Sequence, residues 1–185
     1  QLTPTTYMIA RSRGAPYKAL PVFLSRRFHH AGLTCRADAG IARPADLAGR
    51  RIGARSWTLT TAVWTRGILA AEFGVDWRRS DWIVNDEEHI ADLPLPPNVT
   101  RVPREKSLAD MLASGELEAA FLSKHDKAKL AETGVACHDL FPDPAPLERD
   151  FFARTGIYPM HALIVVKEDV ARQDPALIRG IRAAF

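Results

Sequence analysis

The segment 58–73 constrains the fold more than any other. Leu59, Val63, Trp64, Ile68, Leu69 and Phe73 recur at three- and four-residue spacing, and Gly74 follows. That period predicts an amphipathic helix closed by a glycine. Short strand-like runs flank it, at 51–54 and 81–85. The alternation continues in both directions. Helices are predicted over 3–13, 107–114, 126–132, 147–154 and from 168 to the end, with a single helical turn at 44–49. Strands are predicted over 17–23, 33–36, 100–103, 117–122 and 162–167. Strands alternating with helices form α/β layers around a largely parallel sheet. Pro21 puts its strand at an edge or an end, because proline gives a ladder no N–H. Pro94, Pro96 and Pro97 make 86–98 a loop, and 139–146 is a proline-rich turn.

With 185 residues the chain has room for one domain or two small lobes. Hydrophobic residues at 46% and charged residues at 25% exclude disorder. No apolar run approaches the roughly 20 residues of a membrane span. Cys35 and Cys137 are too few and too far apart for a disulfide framework or a clustered zinc site, so two unpaired thiols are expected. The charge is asymmetric. Residues 1–82 carry 13 Lys and Arg against 5 Asp and Glu, while 83–185 carry 12 against 17. Of the 25 cations, 19 are arginine, the better fork for carboxylates. No Lys/Arg run exceeds two residues, which argues against a nucleic-acid tract and for a small anion held by one or two arginines. Gln1 is not an initiator methionine, and no secretory-signal pattern follows it.

Four stretches carry a family resemblance. Residues 41–53 (IARPADLAGRRIG) resemble the turn and strand that open the second lobe of type 2 periplasmic-binding-fold proteins. Residues 21–30 (PVFLSRRFHH), 60–67 (TTAVWTRG) and 155–161 (TGIYPMH) resemble, more narrowly, the 4,5-dihydroxyphthalate decarboxylases. The likeness runs along nearly the whole chain in the same order. It implies an α/β fold of the type 2 periplasmic-binding kind, with two lobes around a ligand cleft. Residues 1–30 and 161–185 would supply the remainder of lobe one and the hinge, and 31–160 lobe two. It also implies that residues supplying the first strands of lobe one precede the point matching Gln1.

The reaction this resemblance implies removes CO₂ from a ring bearing two carboxylates and two hydroxyls. It needs a cation for the retained carboxylate and an acid for the ring carbon. Arg26 is the expected carboxylate clamp. His30 and His161 are the expected proton donors, since imidazole titrates near neutrality. Arg27 and His29 depart from the family's residues and are assigned no role. Thr58, Thr60 and Thr61 open the long helix, where free N–H groups and the helix dipole favour an anion. The same threonines serve equally as a simple cap. Trp57 offers a stacking face for an aromatic ligand. Ser56 stands where the family carries an acid. Trp64 reads as core, and Arg66 as a surface or interlobe ion pair.

The run Asp86-Glu87-Glu88-His89 invites a metal reading. Adjacent residues of an extended segment point in opposite directions, so four in a row cannot converge on one ion. No metal and no cofactor are therefore expected, while Glu88 and His89 remain candidate acids. Two functions from different classes fit. One is a decarboxylase of a hydroxylated aromatic carboxylate, with a cytoplasmic location. The other is a non-catalytic solute-binding protein of an ABC-type transporter, taking a small anion in the periplasm. A regulatory ligand-binding domain is a third. The expected partner is a small anionic aromatic ligand, not nucleic acid or a membrane, and homo-oligomerisation stays open.

Overall fold

The computed structural model describes residues 1–185. The chain divides into two compact units: Gln1–Phe28 with Ile157–Phe185, and His29–Gly156. No helix is long and apolar enough to cross a membrane.

The first unit is built on one antiparallel pair, β1 (Tyr17–Arg26) with β8 (Met160–Lys167). β1 has no other partner, as Pro21 requires, and the register shifts between Ala19 and Phe23 where that proline sits. Helix α1 (Pro4–Ser12) starts with Thr3 accepting from the Thr6 N–H and with proline in the first turn. The predicted C-terminal helix is two helices, α6 (Glu168–Gln173) and α7 (Pro175–Ala184). Pro175 cannot continue the first helix, and Asp174 caps the second by accepting from the Leu177 N–H at 2.8 Å.

The second unit holds a six-stranded sheet in the order β5-β4-β3-β6-β2-β7. Its strands are β2 (Leu33–Arg36), β3 (Arg51–Ala54), β4 (Asp81–Val84), β5 (Val99–Arg101), β6 (Ala119–Phe121) and β7 (Cys137–Asp139). β3 pairs in parallel with β4 and β6, and β4 with β5. β2 runs antiparallel to both β6 and β7, so the sheet is mixed, not largely parallel. Only two 3-10 turns, Ala37–Ala39 and Pro44–Leu47, lie between β2 and β3. Without a full helical crossover the chain returns in the opposite direction.

Helix α2 (Thr60–Phe73) covers one face of this sheet, and α3 (Leu108–Ser114) and α4 (Lys124–Glu132) cover the other. The alternation of strand side chains sorts the core into two layers. Ala119 and Phe121 pack with Ile52, Trp82 and Leu69 on the α2 side. Ala120 packs with Leu108, Leu112 and Leu130 on the other. Gly53 faces that second layer, where a Cβ would stand 2.5 Å from Leu117 Cδ1. Gly74 closes α2 at φ 64°, a left-handed conformation that glycine adopts without strain. A proline-rich turn leads from β7 into α5 (Ala145–Thr155). Cys35 and Cys137 are both free, and burial pushes the Cys35 thiol up to about 12.

Candidate functional site

In the first unit, strand pairing gathers three nitrogen-bearing side chains at one end of the β1–β8 ladder. Arg26 is opposite Met160, and the Arg27 N–H donates to the Pro159 carbonyl at 3.1 Å. This places Arg27 Nη2 3.3 Å from His161 Nε2. A guanidinium can only donate, so Nε2 accepts and the neutral ring carries its proton on Nδ1. Burial lowers the His161 pKa, and the charge of Arg27 lowers it further. Arg26 is exposed, with its guanidinium 4.6 Å from the centre of the Phe23 ring. Phe28 and Tyr158 pack beside this end of the ladder, with centroids 5.0 Å apart.

In the second unit, His30 is 2% exposed and sits edge-on to Phe151 at 5.4 Å. Burial lowers its pKa, partly offset by the Glu72 carboxylate. Glu72 is itself paired with Arg154, which also bonds Asp150 at 2.7 Å. His29 is also buried and stacks parallel to Trp64 at 6.2 Å. Its carbonyl accepts from the Thr65 hydroxyl at 2.8 Å.

The turn before α2 is a further polar site in this unit. Glu88 accepts from the Trp57 N–H at 2.6 Å, from the Thr58 N–H at 3.0 Å, and from the Thr58 hydroxyl. Thr60 is 1% exposed and its hydroxyl has no partner. Thr61 is half-buried. Beneath the turn lies Arg66, 7% exposed. Its Nη2 donates to the Trp57 carbonyl at 2.7 Å, and its guanidinium lies 3.5 Å from the Trp57 ring centre and 5.2 Å from that of Trp82. Burial pushes the Arg66 pKa down to about 9, against the pull of Glu88. Trp77 completes the aromatic group, 5.3 Å from Trp57.

The acidic run following β4 divides its side chains as alternation requires. Asp86 pairs with Arg55 at 2.7 Å and Arg104 at 3.7 Å, Glu88 takes the Trp57–Thr58 turn, and His89 is exposed.

Within the first unit Arg26 and His161 share the end of one ladder; within the second, Trp57, Thr58, Thr60, Thr61 and Glu88 share one turn, and His30 packs against Phe151. Two contributors escape the sequence reading. Arg27 is one, identified only by its cross-strand position. Arg66 is the other: it is buried against tryptophan, not on the surface or in an ion pair. Leu59, Ala62, Arg66, Leu69 and Phe73 form one stripe at helical spacing, which is the signal that places Arg66 on the packed face.

No protein-family model matches the chain. A 4,5-dihydroxyphthalate decarboxylase from Comamonas testosteroni is 31% identical over 201 aligned residues, covering 100% of this chain and 58% of the relative. A protein of the same name from Pseudomonas putida is 36% identical over 127 residues, covering 64% of this chain and 49% of the relative. The chain thus spans about half the length of the curated relatives it matches. Among solved structures, the periplasmic aliphatic sulphonate binding protein SsuA from Escherichia coli superposes with a TM-score of 0.62 at 12% identity. That match covers 98% of this chain and 51% of SsuA. The desulfurization enzyme DSZB gives 0.51 at 19% identity, over 95% of this chain and 57% of the enzyme. These likenesses show the fold. By sequence the chain is similar to proteins named 4,5-dihydroxyphthalate decarboxylase, and its α/β fold is of the type 2 periplasmic-binding kind.

Proposed function

We propose that this chain forms part of a decarboxylase acting on a hydroxylated aromatic carboxylate such as 4,5-dihydroxyphthalate. The observation that carries the reading is the 31% identity, over all of this chain, to a relative of that name. The side chains at the ladder end supply chemistry of the required kind. In the reaction the bond between ring carbon and carboxylate breaks, CO₂ leaves, and its bonding pair stays on the ring carbon, which takes a proton. Arg26 holds the retained carboxylate. His161 delivers the proton, and Arg27 fixes its tautomer. A neutral imidazole is a poor acid, and burial, with the charge of Arg27 added to it, lowers the His161 pKa. A dianionic substrate beside the ring reverses that balance, because nearby negative charge favours the imidazolium. The donor thus becomes an acid when substrate is present. Within the second unit taken by itself, His30 is the alternative donor and the turn at Trp57, Thr58, Thr60 and Thr61 the alternative carboxylate contact. Glu88 and His89 remain candidate acids. No cofactor or metal enters this scheme, and the location under it is cytoplasmic.

The rival reading is a solute-binding protein that captures a small anion in the periplasm, supported by the fold match to SsuA. The deciding experiment measures CO₂ release from 4,5-dihydroxyphthalate alongside calorimetric affinity, in the full-length protein. His161→Gln is expected to lower turnover by about 10²–10⁴-fold while binding persists. Arg26→Ala is expected to weaken binding itself. Binding by the wild type without CO₂ release above the uncatalysed rate would replace the enzyme by the binder.

A further inference from the structure

The Trp57–Thr58 turn has the donor set of a carboxylate site, and a carboxylate is already in it. Two backbone N–H groups and one hydroxyl converge on Glu88. Two buried polar groups in the helix that follows lack hydrogen-bond partners. One is the Thr60 hydroxyl in the first turn of α2. The other is Nη1 of Arg66, whose guanidinium lies against the same turn through Nη2 and the Trp57 carbonyl. The arginine is 7% exposed and makes no ion pair within 4 Å, so its charge is balanced at longer range by Glu88. A buried cation and an open hydroxyl, added to the three donors already turned to Glu88, are more than a structural tie for one half-buried glutamate needs.

Glu88 is held differently from these donors. They belong to a helix start packed on the sheet, whereas Glu88 belongs to the irregular segment between β4 and β5, which carries Pro94, Pro96 and Pro97. Its neighbours Glu87 and His89 are exposed. A cavity of about 280 Å³ opens beside it, lined by Glu87, Glu88, Ile90, Asp92, Leu93 and Arg101. Replacing one carboxylate by another at the turn leaves every donor satisfied, so the exchange costs little beyond moving the loop.

We propose that the Trp57–Thr58 turn, backed by Arg66, is an exchangeable carboxylate site, that Glu88 fills it from within the chain, and that an aromatic carboxylate displaces Glu88 on binding. The proposal rests on the reading that this protein takes an aromatic carboxylate, and it adds a resident competitor to that site. A tethered carboxylate competes at an effective concentration of the order of mM. It therefore raises the apparent Kd of an outside ligand by the inverse of the fraction of molecules in which Glu88 has left the turn.

The test uses phthalate as probe on the full-length protein. Affinity is measured by calorimetry for the wild type, Glu88→Ala, Glu88→Gln and the charge control Glu87→Ala, with circular dichroism confirming the fold. Amide hydrogen exchange over residues 86–93 is followed in the wild type with and without phthalate. The expected result is about 10-fold tighter binding in Glu88→Ala, a smaller gain in Glu88→Gln, no gain in Glu87→Ala, and faster exchange over 86–93 when phthalate binds. If Glu88→Ala does not fold, the wild-type exchange experiment decides alone. Binding by the wild type with no gain in Glu88→Ala, an equal gain in Glu87→Ala, or exchange over 86–93 unchanged by phthalate overturns the proposal and leaves the aromatic-carboxylate reading standing. Absence of binding by every folded variant overturns both.

Discussion

Arg66 lays its guanidinium 3.5 Å from the centre of the Trp57 ring and donates to the carbonyl of the same residue at 2.7 Å. One side chain thus grips the turn before α2 by both its face and its backbone. Loss of that grip is measurable. Arg66→Ala leaves a cavity and an orphaned carbonyl and is expected to cost about 2–4 kcal/mol. Arg66→Lys keeps the charge but not the planar stacking, and should cost about 1–2 kcal/mol. Urea midpoints of the two variants check both the size and the order.

The Arg27–His161 contact predicts a coupled titration. The charge of Arg27 helps hold the His161 pKa below its usual value of 6.5. Arg27→Met removes that charge and should move the pKa upward. Burial, the larger cause, remains, so the return is partial. The ring protons of His161, assigned by comparison with His161→Gln, report the change in an NMR titration. An unchanged or lowered pKa contradicts the contact.

His30 predicts a pH dependence of stability with a defined sign. Its folded pKa lies below 6.5 because the ring is buried. The unfolded chain therefore binds a proton at pH values where the folded chain resists it, and stability rises with pH across that window. Well above 6.5 neither state is protonated and the contribution is flat. Stability is lost as the pH falls through 6.5 toward the depressed value. His30→Gln should flatten part of this slope, as read from denaturant midpoints between about pH 5 and 7.

Gly53 predicts a packing defect. A methyl at this position meets Leu117 Cδ1 at 2.5 Å and Leu108 Cδ2 at 3.0 Å. Its own backbone conformation is ordinary, so the whole penalty is steric. Gly53→Ala should cost about 1–3 kcal/mol by overpacking. The paired variant Gly53→Ala with Leu117→Val, which trims the colliding branch, should regain part of it.

Most helices and strands were legible because their signals are local. Ser107, Gly74 and the period of 58–73 mark helix ends and faces without help from the rest of the chain. Strand direction was not legible, since the antiparallel setting of β2 depends on how the chain returns between β2 and β3. β7 escaped because Cys137–Asp139 carries no apolar alternation and is a strand only by virtue of pairing with β2. The reading of Arg66 as a surface or interlobe ion pair misses its burial, because the tryptophans at 57 and 82 that make this burial tolerable lie outside its own helix. The Arg27–His161 contact joins residues 134 positions apart, beyond any local pattern.

The division of the chain has a consequence for the order in which it can assemble. The second unit is one continuous stretch, His29–Gly156, whereas the first needs both flanking segments. In its only ladder Tyr17 pairs with Lys167, so β1 must wait for a partner 150 residues away. During synthesis the six-stranded sheet can close before β8 is available to β1. Arg26, carried on that late-pairing strand, can therefore reach its final setting after the Trp57–Thr58 turn and its tryptophans are already in place.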